Sequence, residues 1–70
     1  MDVNKLVRMA NQIAANFDGG SNEAAAVAGV ADHMRRFWTP SMRRQIVEHW
    51  QEQRGDLSPR AAQAIAAIAD

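Results

Sequence analysis

The sequence predicts an all-α chain of four short helices, and three observations carry that reading. Apolar residues recur with helical spacing, proline appears only directly after a capping residue, and three of the four glycines fall between the periodic segments. From Val3 to Phe17 a turn of about 100° per residue gathers Val3, Leu6, Val7, Met9, Ala10, Ile13, Ala14 and Phe17 on one side. Asp2 caps this first helix, near 3–17, and its charge suits the positive end of the helix dipole. Asp18-Gly19-Gly20 is expected to stop it, because glycine enters the left-handed conformation without a Cβ clash.

A second helix is expected over 21–38, capped by Gly20 or Ser21, with Val27, Val30, Ala31, Met34, Phe37 and Trp38 on its apolar face. Ala25 and Gly29, four apart on the other side, leave a small-residue surface that a second backbone could approach, or are simply alanine-rich filler. Thr39-Pro40 opens a third helix, near 40–53, since proline disfavours helical geometry before it and fits the first helical position. Ser58-Pro59 repeats the device and opens a fourth, near 59–69. Gly55 is the expected stop between the two. The connections are short, so successive helices should be neighbours. Leu6, Met9, Ile13, Phe17, Val27, Met34, Phe37 and Ile46 are expected to be the most buried residues. Nothing divides the chain, and residues 1–70 read as one helical domain.

Composition narrows the function. Hydrophobic residues make up 47% of the chain, but fourteen of them are alanine, so the core is small. A chain this short rarely gains more than about 3–5 kcal/mol from one core, and with no cysteine it has no disulfide to add. It should be marginal alone and more stable against a partner. Eight basic residues balance eight acidic ones, against the positive field expected of a nucleic-acid binder. No apolar run approaches the roughly 18–20 residues of a membrane span, and no signal peptide is evident, so a cytoplasmic location and no membrane partner are expected. Catalysis finds little material. Ser21, Ser41 and Ser58 sit where helix capping explains them, Gly19-Gly20 lacks the rest of a phosphate loop, and His33 and His49 lie on different helices with no thiol to complete a zinc set. No catalytic residue and no metal site are expected, and the chain reads as no enzyme.

The segment from His33 to Arg44 differs from the rest. It holds four of the seven arginines, two large aromatics and no acid. Arginine makes planar two-pronged bonds and stacks on aromatic rings, as binding hot spots do. Arg43 falls on the apolar side of the third helix and needs a carbonyl, a carboxylate or the Trp50 ring. Three readings stay open: a core of Phe37, Trp38, Met42 and Trp50 with solvated arginines; a protein-binding surface; and a helix-turn-helix that presents Ser41, Arg44, Gln45 and Glu48 to nucleic acid.

Lys5 to Ala14, followed by Ala31-Asp32-His33-Met34-Arg35-Arg36-Phe37-Trp38, Pro40 and Met42-Arg43, resembles the delta subunit of NAD-dependent formate dehydrogenase over residues 2 to about 50. Thr39 and Ser41, and the short Gly19-Gly20 loop, depart from the family's pattern. The resemblance implies a non-catalytic subunit of a cytoplasmic hetero-oligomer that oxidises formate and reduces NAD. It implies that the catalytic (alpha) subunit carries a molybdenum or tungsten bis-pterin cofactor and iron–sulfur clusters, with FMN elsewhere in the complex and no cofactor on this chain. It implies a role in assembly or cofactor retention. The partner-binding surface expected on that basis is centred on His33, Arg35, Arg36, Trp38 and Arg43, whose arginines suit carboxylates, or pterin phosphates during cofactor loading.

Overall fold

Polar side chains at four points set where the helices begin. The computed structural model describes residues 2–69, and among them the elements are α1 (Val3–Asn16), α2 (Glu23–Phe37), α3 (Pro40–Gln51) and α4 (Pro59–Ile68), with no strand. Asp2 accepts from the Asn4 amide at 2.9 Å, Thr39 from Met42 at 3.1 Å and Ser58 from Ala61 at 3.2 Å, as expected. The start of α2 is a correction. Asn22 caps it, accepting from the Ala25 amide at 3.1 Å, whereas Gly20 and Ser21 lie in the preceding turn. That turn is closed by the Gly20 amide donating to Asp18 Oδ1 at 2.8 Å, and Gly20 adopts φ +64° there.

Two helix ends also depart from expectation. α1 is not stopped by a left-handed glycine; the chain leaves it extended at Phe17. The Ala14 and Phe17 carbonyls are taken instead by Arg60 Nη1, 2.7 Å from each. α3 ends at Gln51, and Gln53 takes the left-handed position that follows, at φ +55°, two residues ahead of Gly55, which is left-handed too at φ +79°. A non-glycine residue there costs on the order of 1 kcal/mol, offset partly by the extra freedom glycine has when unfolded. Gln53→Gly should therefore raise stability by up to about 1 kcal/mol, read as a higher midpoint in urea with an unchanged slope.

The core forms around α4. This helix packs on all three others, most extensively on α2, and Ala61, Ala64 and Ile65 are fully buried. Its alanines are the reason: with no bulk beyond Cβ they let three helices approach one axis, and Ile65 fills the centre. The successive pairs α1–α2 and α3–α4 pack on each other as expected, but α2 and α3, joined by only Trp38 and Thr39, make hardly any contact. Leu6, Val30, Met34 and Ile46 are the other large side chains that are fully buried. Met9, Ile13, Phe17 and Val27, expected among the most buried, pack on the edge of the core and stay half-buried. The small-residue face at Gly29 is covered from within the chain: a Cβ on Gly29 would sit 2.4 Å from Phe17 Cε1.

Phe37 and Trp38, which periodicity places on one apolar face, part company in the structure. Phe37 is 70% exposed and Trp38 only 5%. Phe37 is the last residue of α2, where no other helix covers its stripe. Trp38 is the extended C-cap (φ −89°, ψ 141°), so its side chain leaves the helical wheel and turns into the core.

Two polar assemblies tie distant segments together. Asn11 on α1 donates to the Asp56 carbonyl at 2.9 Å and accepts from the Ser58 amide at 2.8 Å. The Asp56 carboxylate in turn holds Nε2 of the buried His49, at 2.8 and 3.0 Å. This fixes the α3–α4 connection onto α1. Elsewhere Arg60 makes a two-pronged pair with Glu23, both contacts at 2.8 Å, linking the start of α4 to the start of α2. The Arg60 hydrogen bonds hold the Glu23 carboxyl below its ordinary value of 4.5, outweighing its partial desolvation. A carboxylate held low contributes stability that is complete above its unfolded pKa and is lost as pH falls through the folded one. Glu23→Gln should therefore be less stable than the parent at pH 7, and the difference should vanish in strong acid. Thermal melts across that range check it.

Candidate functional site

A shallow apolar groove runs between α1 and the end of α2, and the exposed ring of Phe37 forms its upper edge. The residues that line it come in helical pairs. Met9 and Ile13 are four apart on α1, His33 and Phe37 four apart on α2, and Met42 closes the end from α3. Trp38 is its floor. The His33 ring lies 4.8 Å from Phe37 in a tilted stack and 6.4 Å edge-on from Phe17, so three rings run in a row along α2. Beyond Phe17 the groove continues past Asn16 to Asp18.

An exposed phenylalanine over an apolar furrow is the feature of this surface that needs explaining. A single exposed apolar residue is ordinary, but here it adjoins half-buried apolar groups on two other helices, Met9 and Ile13 on α1 and Met42 on α3. Arranged so, the groove can bury a partner's apolar side chains while Gln12, Asn16 and His33 supply hydrogen-bonding groups along it.

The structure divides the five residues expected at the partner surface. His33 and Trp38 meet at the groove, but Trp38 is core and presents little surface, so the exposed aromatic is Phe37 and not Trp38. Arg35 points the other way, toward α4, where its Nη2 donates to the Ala67 carbonyl at 3.0 Å and satisfies the end of that helix. Arg36 is exposed and paired with Asp32 one turn earlier, at 3.1 Å. Arg43 finds no partner for its Nε, which is shut off from solvent without a hydrogen bond among the described residues. None of the three arginines lines the groove. Helical periodicity alone places the groove residues Met9, Ile13 and Met42 in or near the core. Their signal in the sequence is an apolar stripe wider than so small a core can cover.

The second surface furrow, lined by Val3, Asn4, Gln45, Glu48, His49 and Glu52, is polar. Among the described residues no group of three or more histidine, cysteine, aspartate or glutamate side chains could hold a metal ion. An iron–sulfur cluster needs cysteine thiolates, which this chain does not have, so its residues do not fit such a cluster. No helix of the described residues is long and apolar enough to cross a membrane. The near-absence of contact between α2 and α3 gives no support to a helix-turn-helix.

No curated protein and no solved structure matches the chain. A family model does, that of the NADH-dependent formate dehydrogenase delta subunit FdsD, over residues 5–65. That span includes all of α2 and α3, most of α1 and α4, and every residue named above as lining the groove. The chain belongs to the family of formate dehydrogenase delta subunits and is by that membership a component of the formate dehydrogenase complex.

Proposed function

We propose that this chain is a non-catalytic accessory subunit in a cytoplasmic NAD-dependent formate dehydrogenase. In this reading it docks on the catalytic subunit and supports assembly or retention of that subunit's bis-pterin molybdenum or tungsten cofactor. The observation that carries it is Phe37, a large aromatic left 70% exposed over an apolar groove in a chain assigned to a multisubunit enzyme. The contact is centred on Phe37 and His33, with Trp38 as its rigid floor and Arg36 at its margin. Arg35 acts within this chain, by closing α4, and Arg43 lies half-buried on α3 away from the groove. The FMN, iron–sulfur clusters and NAD site belong to the other subunits, and the metal cofactor to the catalytic one.

Purifying the catalytic subunit from cells with and without this chain tests the proposal. Without the chain, or with Phe37→Ala in its place, the catalytic subunit should carry less molybdenum or tungsten and show proportionately less formate oxidation. The free chain should also melt at a lower temperature than it does in complex, since binding to the folded state alone stabilises it. Full metal content and activity in the absence of the chain would overturn the accessory role.

A further inference from the structure

We infer that the groove receives one amphipathic helix of the catalytic subunit, lying antiparallel to α1, with its carboxyl end over Lys5 and Arg8. This rests on the docking reading above and adds the occupant's form and direction. The form follows from the shape. The furrow is bordered by helices, and its apolar groups stand at successive turns: Met9 and Ile13 on one wall, His33 and Phe37 on the other. A helix presenting apolar residues at spacings of three and four fits such walls, whereas an extended strand would need free backbone edges that α-helical walls do not offer.

The direction follows from charge. Lys5 stands one turn before Met9 on the same stripe of α1, and Arg8 one turn before Gln12. Both are exposed, and neither forms an ion pair among the described residues. Asp2 at the N-cap of α1 offsets one of these charges and leaves that end net positive, while Glu48 and Glu52 lie with Val3 and Asn4 along a different furrow. At the far end the groove reaches Asp18, and the neighbouring Glu23–Arg60 pair leaves one net negative charge there. The groove is therefore positive at one end and negative at the other over about 20 Å, some three to four helical turns. A docked helix carries partial positive charge at its amino end and partial negative charge at its carboxyl end. Its favoured direction puts the amino end at Asp18 and the carboxyl end at Lys5 and Arg8. Acidic residues in the occupant's last turn would strengthen the same preference.

A photo-crosslinking residue placed at Arg8 in one variant and at Asn16 in another reads the direction in the assembled complex. The two should mark a single helix of the catalytic subunit. The Asn16 adduct should fall about seven to eight residues before the Arg8 adduct in that subunit's sequence. Lys5→Glu with Arg8→Glu should weaken association at least tenfold at low salt, with the loss shrinking as salt rises. Lys5→Met with Arg8→Met, checked for helicity, gives the same reading if the reversed variant does not fold. A reversed order of adducts, adducts scattered over loops, a crosslink to a second copy of this chain, or unaltered affinity in the charge variants would overturn the inference. Phe37→Ala separates the two levels: if it abolishes binding while the adducts run the wrong way, the docking site stands and the helix direction falls. If it binds as the parent does, the docking site itself is wrong.

Discussion

Phe37→Ala should leave the free chain folded and strip it from the complex. The ring is exposed, so its loss should change the stability of the isolated chain by no more than about 0.5 kcal/mol. Alanine is, if anything, the better helix former at that position. At an interface the balance reverses. A buried aromatic anchor typically contributes 2 kcal/mol or more, so affinity for the catalytic subunit should fall by about 30-fold or more. Circular dichroism of the free chain and calorimetry with the catalytic subunit measure the two effects separately. Trp38→Ala is the contrasting variant, because its ring is core and its loss should lower stability first and binding only as a result. A Phe37→Ala chain that binds normally would remove Phe37 from the interface.

Ile65→Ala should unfold the isolated chain. Truncating a fully buried isoleucine costs about 2–5 kcal/mol, and a core of this size supplies on the order of 3–5 kcal/mol in total. Ile65 lies on the helix that all the others touch, so the cavity would open at their common contact and no single neighbour could close it. Ile65→Val, at about 0.5–1.5 kcal/mol, should remain folded with a lower melting temperature. Urea titrations of both variants, and of the isoleucine form in complex, measure the series. Cooperative unfolding of Ile65→Ala at the parental midpoint would show that α4 is peripheral.

The helices were legible because their starts are chemical. Asp2, Thr39-Pro40 and Ser58-Pro59 satisfy free amides with their own side chains, a local matter that the sequence states outright. Asn22 was passed over at α2 because Gly20 and Ser21 can cap equally well, and only the Asp18–Gly20 turn excludes them. The end of α1 was illegible for a different reason. Its carbonyls are met by Arg60, more than forty residues away, and no local pattern announces such a partner. At the candidate site the sequence leaves open which of two adjacent rings is exposed. Helical periodicity places Phe37 and Trp38 on one face, but it cannot show that the helix stops between them and sends the second ring inward. The arginines of that segment stood out by composition, yet composition does not reveal that Arg35 is used to close α4. The weight of α4 was also hidden, since alanine reads as bland until three helices are found to need its smallness.

The position of α4 in the chain has a consequence for biosynthesis. Translation delivers α1, α2 and α3 before α4, at about 5–20 residues per second. Until α4 emerges, the apolar faces of the first three have lost the helix on which each of them packs, and the Asn11 anchor has no Asp56 or Ser58 to hold. The earlier helices can flicker locally but cannot consolidate vectorially, so the nascent polypeptide stays a client for chaperones and a target for proteases until its fourth helix arrives. Truncations that remove α4 should accordingly be degraded in cells rather than accumulate as partly folded fragments.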